Sequence, residues 1–287
     1  MVLDGKYALN DGNEIPKLGL GTWFVKDRDA ADVVRRAVGM GYRLIDTAQA
    51  YGNERGVGEG VRTCGVPREE IFVTSKVAAE TKTRAAAAKA VDDMLSATGL
   101  DNLDLAIIHA PQPWRRWRSK KRRYFEENLD VWAALEDAKA KGKVRSIGVS
   151  NFLADDLQNI LDNCTVRPAV NQILCHIGNT PEGLLELCRK EGVLAESYAP
   201  LGHGRMLEDE RVIAMAAKYG VTAAQLCIRY CIELGTVALP KAASDAHLRE
   251  NAEVDFSISA EDMEALKALP PIKGYGMLRM LPVFSGK

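Results

Sequence analysis

Residues 71–110, "IFVTSKVAAETKTRAAAAKAVDDMLSATGLDNLDLAIIHA", contain a predicted strand, a helix and a second strand in succession. "IFVTSKV" (71–77) and "LDLAIIHA" (103–110) are short apolar runs without strict alternation, which is typical of parallel strands covered on both faces. Between them, "TRAAAAKAVDDMLSATGL" (83–100) is rich in alanine and ends at Gly99, a residue that commonly closes helices. The stretch therefore predicts one strand–helix–strand unit.

The same unit recurs along the chain. Counting "LGLGT" (18–22) as the first strand, the pattern predicts eight strands, each followed by helix. Before them, "KYALNDGNEIP" (6–16) predicts a hairpin whose tight turn is formed by "NDG". Eight such units in about 250 residues predict an α/β fold, a (β/α)8 TIM-type barrel with an N-terminal β-hairpin. No linker or shift in composition divides the chain, so residues 1–287 are predicted to form one domain.

A doubly wound open sheet is the alternative fold. It would place a glycine-rich turn between its first strand and first helix, with an acidic residue about 20 positions later. The nearest match is "GVGEG" (56–60), which follows no strand directly and lies inside a segment with helical character. The barrel therefore remains the better prediction.

The composition limits what the protein can be. Thirty-eight basic and 39 acidic residues give a formal net charge of -1, whereas nucleic-acid-binding domains usually carry a basic excess. The six cysteines have no CxxC spacing and there are only four histidines, so neither a metal site nor a disulfide framework is expected. No signal peptide and no apolar run of about 18 residues is found. We therefore expect a cytoplasmic protein without metal or membrane contact.

Four titratable side chains follow three consecutive strands. Asp46 ends the second predicted strand with Tyr51 five residues later, Lys76 lies near the end of the third, and His109 ends the fourth. Barrel chemistry occurs at the C-terminal ends of strands, so these groups should meet. An ammonium lowers the pKa of a nearby phenol, and an aspartate would hold the lysine charged. The sequence therefore predicts a proton-transfer site of Tyr51, Lys76, Asp46 and His109.

At these residues the chain resembles the aldo-keto reductases. The resemblance is carried, in order, by "GYRLIDTAQAYGNERGVGEG", "VTSK", "DLAIIHAPQP", "RSIGVSNF", "VNQI" and "YAPLG". It implies a TIM-type barrel that interconverts small carbonyl compounds and alcohols with NAD(P)H and without metal. It also implies that Tyr51 is the general acid, that Lys76 and Asp46 tune its pKa, and that His109 orients the substrate carbonyl. Trp23 resembles a wall of the substrate pocket, and the alternative is a core tryptophan at the barrel rim.

The resemblance also implies where a nicotinamide would bind. Four residues match positions that hold the ring and its amide: Ser150, Asn151, Gln172 and, stacked on the ring, Tyr198. An amide needs both donors and acceptors, which asparagine and glutamine supply.

The remainder of the cofactor is assigned in the same way. Leu201 and Gly202 match the loop at the pyrophosphate, Lys241 matches the lysine near the adenosine 2′-phosphate, and Glu250 and Asn251 match positions near the adenine. The expected cofactor is therefore NADP(H).

The phosphate-binding segment departs from the family pattern. Ala242 stands where serine is common, and His247 stands where an arginine would grip the phosphate. Arg249 is displaced by two positions, and Ser244 is a partial substitute for the lost hydroxyl. We expect NADP(H) to be accepted through Lys241, with NAD(H) accepted as well. Further departures lie near the cofactor rather than the proton-transfer residues: Leu174, Ile177 and Ala199.

The stretch "WRRWRSKKRR" (114–123) raises a different possibility, nucleic-acid binding. The alternative is a solvated loop that leads into the next helix, starting five residues beyond His109. If the loop instead reaches over the pocket mouth, Trp114 would wall the pocket. Arg115, Arg116 and Arg118 would then favour anionic carbonyl substrates or help retain the cofactor's phosphates. A non-catalytic regulatory protein on the same barrel is a further alternative, which the complete set of four catalytic residues disfavours. A monomer is expected.

Overall fold

The computed structural model describes residues 1–117, 119, 122–272, 274–276, 280 and 283. The described residues contain a two-stranded hairpin and an eight-stranded parallel sheet. The hairpin strands are β1, Lys6–Ala8, and β2, Glu14–Pro16. The strands of the parallel sheet are β3 Leu20–Gly21, β4 Leu44–Asp46, β5 Phe72–Val77, β6 Leu103–Ile108, β7 Val144–Ser150, β8 Val170–Leu174, β9 Leu194–Tyr198 and β10 Val237–Leu239.

The sheet closes into a barrel. Strands β3 to β10 pair in chain order. Its two edges meet through parallel bridges between Leu18 and Ala238 and between Gly21 and Lys241. Backbone hydrogen bonds reinforce this seam, including Gly19 N to Ala238 O at 2.9 Å. The predicted (β/α)8 barrel is therefore confirmed, and closure brings the C-terminal ends of all eight strands to one face.

Helices follow the strands as predicted. Strand β9 is followed by two helices, α7 and α8, and two more follow β10. Their bounds are α1 Asp27–Gly39, α2 Glu54–Thr63, α3 Arg84–Thr98, α4 Phe125–Ala140, α5 Ala154–Asn163, α6 Glu182–Lys190, α7 Glu210–Lys218, α8 Ala223–Glu233, α9 Asp245–Ala252 and α10 Ala260–Lys267. None of the described helices is long and apolar enough to cross a membrane.

Local chemistry sets the ends of α3. The Thr83 hydroxyl accepts a hydrogen bond from Ala86 N at 3.3 Å and caps the first turn. Gly99 adopts a left-handed conformation with φ of 63° and donates its N–H to Leu95 O at 2.8 Å. This is the glycine that the sequence predicts will close the helix.

The glycines of "GVGEG" are packing residues. They lie within α2, where a side chain at Gly56 would overlap Asp27 O and one at Gly58 would overlap Thr98 O. At Gly60 the obstacle is the Val34 side chain. Because these glycines let α1 and the end of α3 approach α2 closely, they explain the motif without a nucleotide-binding turn.

The hairpin covers the N-terminal end of the barrel. Its turn contains Gly12, with φ of 85°, in agreement with the predicted "NDG" turn. Asn10 donates to Pro168 O at 2.8 Å, and Asn13 donates to Ser146 Oγ at 3.0 Å. These contacts reach the starts of β8 and β7, so the opposite face is left for the site.

Candidate active site

A cavity of about 670 Å³ opens at the C-terminal face of the barrel. Its lining includes most of the residues that the sequence predicts for a site: Trp23, Asp46, Tyr51, His109, Trp114, Ser150, Asn151, Gln172, Tyr198, Leu201 and Lys241. A second cavity of about 550 Å³ lies beside the hairpin at the other end and contains none of the predicted site residues. The first cavity is therefore the candidate site.

A buried ion pair forms the base of this site. Lys76 is fully buried and its Nζ donates to Asp46 Oδ1 at 2.5 Å and to Thr47 O at 2.8 Å. Burial disfavours the ammonium, but the Asp46 carboxylate and Tyr51 outweigh that penalty and raise the pKa of Lys76 above its usual value. The predicted pairing of Lys76 with Asp46 is thus present, and it keeps the lysine charged.

Tyr51 is placed above this ion pair by the turn that follows β4. It ends a short 3₁₀ turn, Gln49–Tyr51, and Gly52 then reverses the backbone with φ of 65°. The buried Asn53 fixes the turn, because its Nδ2 donates to Thr22 O and Val25 O at 2.9 Å. As a result, the Lys76 ammonium lies 4.8 Å from the centroid of the Tyr51 ring.

The pKa of Tyr51 differs from the expectation. A depressed pKa was predicted from the neighbouring ammonium, whereas the pKa of the Tyr51 phenol is raised in the structure. Burial disfavours the phenolate most strongly, Lys76 opposes that effect, and the Asp46 carboxylate adds to it. Lys76 thus acts in the predicted direction, but burial outweighs it, so the pKa is raised and Tyr51 is a protonated phenol at neutral pH.

His109 faces Tyr51 across the floor of the cavity. Their ring centroids are 5.7 Å apart, and His109 also contacts the edge of Trp114 at 5.1 Å. Burial, and next the Lys76 ammonium, hold the pKa of His109 well below its usual value of 6.5. His109 is therefore a neutral imidazole, and its Nδ1 has no hydrogen-bond partner among the described residues.

The loop that carries His109 is held in place by hydrogen bonds from Lys82 and Asn128. Lys82 donates to Ala110 O at 3.1 Å and to the Asn128 side chain at 2.9 Å. Asn128 in turn donates to Pro111 O at 3.0 Å. These contacts join the loop to α4, which restricts movement of the imidazole.

The predicted nicotinamide-binding residues form a connected group. Asn151 Nδ2 donates to His109 O and Ser150 Oγ at 3.0 Å, and Tyr198 donates to Asn151 Oδ1 at 2.7 Å. Gln172 Nε2 donates to Asp46 Oδ2 at 2.8 Å. The group therefore extends from the wall of the cavity to the buried ion pair.

The residues predicted for the rest of the cofactor are less closely grouped. Leu201 and Lys241 line the cavity, and Gly202, next to Leu201 in the chain, is buried with φ of 56°. His247, Glu250 and Asn251 lie on α9 and do not line the cavity. At the start of α9, the Ser244 hydroxyl accepts from His247 N at 3.3 Å and caps the helix.

The basic stretch contributes a tryptophan to the cavity. Of its described residues, Trp114 lines the cavity, whereas the arginines do not. Arg122 pairs with Glu127, and Arg123 pairs with Asp155 at 3.3 Å and Asp156 at 3.0 Å. Two of the basic charges are thus balanced by acidic residues of neighbouring helices. Part of the stretch lies outside the described residues: Arg118, Lys120 and Lys121.

Some residues of the site were not predicted from the sequence. His203 and Phe24 line the cavity, and His203 contacts the edge of Trp23 with centroids 5.6 Å apart. Both have positive φ, which is uncommon for residues with side chains, and the glycines on either side of His203 were the available signal. Glu196 is fully buried beneath the site. Only its position in an apolar strand marked it as unusual.

Comparison with known proteins agrees with this geometry. Residues 17–270 match the model of the Aldo/keto reductase family. The chain is 40% identical over 263 residues to an aldo-keto reductase of Mycobacterium sp. (strain MCS), covering 91% of this chain and 89% of that protein. It is 37% identical to a glyoxal reductase of Bacillus subtilis (strain 168), with 91% of each chain covered.

Solved structures give the same result. The crystal structure of an aldo/keto reductase from Brucella melitensis has a TM-score of 0.85 and 35% identity, covering 92% of this chain and 98% of that one. An aldo-keto reductase from a deep-sea metagenome library of the Medee basin also has a TM-score of 0.85, with 34% identity and coverages of 92% and 94%. The chain belongs to the aldo-keto reductase family, the oxidoreductases that reduce carbonyl groups with a nicotinamide cofactor.

Proposed function

We propose that this cavity reduces small aldehydes and ketones, with a hydride supplied by a bound reduced nicotinamide and a proton supplied by Tyr51. The observation that carries the proposal is the arrangement of Tyr51, Lys76 and His109 at one cavity floor. A general acid must hold its proton before the reaction, and the raised pKa of Tyr51 keeps it protonated. The adjacent Lys76 ammonium stabilises the phenolate that forms when the proton leaves.

His109 is proposed to orient the substrate. A neutral imidazole has one N–H donor and one acceptor nitrogen, and its depressed pKa keeps it in that form at neutral pH. With ring centroids 5.7 Å apart, Tyr51 and His109 can both donate to one carbonyl oxygen lying between them. Two donors at that oxygen stabilise the negative charge that develops there during reduction.

The cavity walls favour a small substrate. Trp23 and Phe24 on one side and Trp114 on another present apolar surface around the two donors. Dicarbonyls and short aldehydes fit this description, and glyoxal is a sensible first substrate because a relative is named glyoxal reductase. A panel should compare glyoxal with aromatic aldehydes and with anionic keto acids. A specific gain for keto acids would support the hypothesis that Arg115 and Arg116 attract anionic substrates.

The polar residues of the cavity suit a nicotinamide. Gln172 Nε2 donates hydrogen bonds to the buried carboxyl groups of Asp46 and Glu196. Its Oε1 accepts no hydrogen bond from any described residue. That oxygen is therefore available to accept from a carboxamide N–H. Ser150, Asn151 and Tyr198 complete the proposed contacts with the ring and its amide.

We further propose that NADPH is used and that NADH is accepted as well. Lys241 is exposed at the cavity rim and can pair with a 2′-phosphate. The position of a second phosphate ligand is occupied by the buried Ala242, and His247 offers no permanent charge. Comparison of kcat/KM for the two cofactors tests this proposal. A preference for NADPH of about a thousandfold or more, equivalent to about 4 kcal/mol, would refute it.

Tyr51→Phe is the decisive test of activity. The variant keeps the ring packed beside Lys76 and removes the proton donor. We expect wild type to oxidise NADPH with the aldehyde panel and the variant to lose about 100-fold or more in kcat. Equal, slow rates for both proteins would favour a regulatory cofactor-binding role instead.

The remaining proposals concern the setting of the enzyme. We propose a single-domain monomer of the cytoplasm that binds neither nucleic acid nor metal. The balanced charge of the chain and the absence of disulfides among the six cysteines, all of which are described, support this view. Light scattering after gel filtration tests the oligomeric state, and salt-dependent retention on DNA tests nucleic-acid binding.

A further inference from the structure

Glu196 is a fully buried carboxyl group that the proposed reaction does not use. It lies on β9, paired in register with Gln172 on β8 and with the apolar Val237 on β10. It does not line the cavity, so it meets neither substrate nor cofactor. Glu196 has no ion-pair partner in the described part of the chain, and a buried acid without one is costly, which makes its presence informative.

Glu196 is connected to the ion pair through one amide group. Gln172 Nε2 donates to Glu196 Oε2 at 3.2 Å and to Asp46 Oδ2 at 2.8 Å. Asp46 Oδ1 in turn accepts from Lys76 Nζ at 2.5 Å. A continuous chain of hydrogen bonds therefore runs from Glu196 through Gln172 and Asp46 to Lys76, across the interior of the barrel.

The surroundings favour the neutral form of Glu196. Burial, and next the nearby Asp46 carboxylate, raise the pKa of Glu196 to about 8, while Gln172 and Lys76 oppose the rise. Asp46 and Lys76 are the charged groups that face it, from β4 and β5, and Val237 on β10 adds none. Its Oε1 has no hydrogen-bond partner among the described residues, so a charge there would lie uncompensated.

We propose that Glu196 is a positioning residue that fixes the orientation of the Gln172 amide for cofactor binding. With both hydrogens of Nε2 taken by Asp46 and Glu196, the carbonyl oxygen of Gln172 is turned toward the cavity. A flipped amide would place that oxygen against the Asp46 carboxylate, which only accepts hydrogen bonds, and this is unfavourable. This inference rests on the proposed role of Gln172 in holding the nicotinamide amide.

Two variants separate the hydrogen bond from the shape of the side chain. Glu196→Leu removes the acceptor, so the Gln172 amide is held only by Asp46. Glu196→Gln keeps an acceptor of the same shape and cannot ionise. Ser197→Ala is the matched control, because the next residue on β9 bonds Thr236 at 2.7 Å and takes no part in the chain.

Cofactor binding is measured directly, without turnover, by titrating NADPH and NADP⁺ against protein fluorescence. At pH 7 we expect Glu196→Leu to raise the Kd for NADPH about five- to tenfold with kcat nearly unchanged, and Glu196→Gln to resemble wild type. Ser197→Ala should bind as wild type does. Unchanged binding by Glu196→Leu, or equal weakening in both Glu196 variants, overturns the inference.

A pH series distinguishes positioning from a merely structural role and remains decisive if Glu196→Leu fails to fold. An ionised Glu196 below the cavity favours the positively charged nicotinamide ring of NADP⁺ over the neutral ring of NADPH. The ratio of the Kd for NADP⁺ to that for NADPH should therefore fall between pH 7 and 9 in wild type and stay flat in Glu196→Gln. Parallel pH curves for the two proteins contradict the inference. Since no turnover is needed, failure of Tyr51→Phe to lose activity would overturn the proposed chemistry separately.

Discussion

Glu196→Gln should make the protein more stable, by an amount that depends on pH. The side chain is completely buried, and among the described residues its carboxyl group has one hydrogen-bond donor, Gln172 Nε2, at 3.2 Å. A glutamine has nearly the same shape and keeps an acceptor for that bond. The substitution thus removes the ionisable proton while leaving the packing in place.

The size of the effect follows from the two protonation states. The carboxyl group has a pKa of about 8 when folded against 4.5 for its ordinary value, so between these pH values the unfolded chain releases a proton that the folded chain retains. Folding stability then falls by about 1.4 kcal/mol per pH unit as the pH rises. The loss reaches about 3 kcal/mol at pH 7 and levels off at about 5 kcal/mol above pH 8.

Urea unfolding of both proteins at pH 5, 6, 7 and 8 and constant ionic strength measures this difference. The advantage of Glu196→Gln should be small at pH 5 and grow steadily to pH 8. Glu186→Gln, an exposed change on α6, controls for the loss of a carboxyl group. A stability difference that is constant with pH, or one that shrinks toward pH 8, would show that Glu196 ionises normally in the folded protein.

The other predictions concern the ion pair, the pH profile and the helix packing. Lys76→Met should destabilise the protein by about 3–5 kcal/mol in urea unfolding, because it leaves the Asp46 carboxylate buried and unpaired. The double variant Lys76→Met/Asp46→Leu should recover part of this loss of stability. No recovery in the double variant would contradict the reasoning. For aldehyde reduction, kcat/KM should show no step near pH 6.5, because His109 is neutral well below that pH. It should fall only at alkaline pH, where Tyr51 ionises. A step near pH 6.5 that disappears in His109→Gln would contradict the neutral state assigned to His109. Gly58→Ala should lower the thermal midpoint, because its new methyl group overlaps Thr98 O at a cost in stability of about 1–3 kcal/mol. Gly183→Ala on α6 meets no atom within 4 Å, so it should be neutral or stabilise the protein by about 0.4–1 kcal/mol. Equal midpoints for the two variants would refute the packing argument.

Much of the site could be predicted because strands that follow one another in the chain lie side by side in the barrel. Asp46, Lys76 and His109 each stand at the end of a strand, and neighbouring strands in the sequence are neighbours in the sheet. Tyr51 was predictable because it lies on the short connection directly after β4. His203 and Phe24 were missed because the course of long loops over the cavity does not follow from apolar patterns.

The sequence by itself determined the order of strands and helices and the glycine at the end of α3, because these depend on residues only a few positions apart. The tertiary structure decided the charge states and the partners. Gln172 and Asp46 are 126 positions apart in sequence, and it is barrel closure that brings them to 2.8 Å and places Glu196 behind them. Tyr51 packs against Trp23, His109 and the Lys76 ammonium, so burial outweighs the ammonium and raises the pKa that the sequence had predicted to fall. Burial is a property of the whole packed barrel, and no local pattern of residues encodes its magnitude.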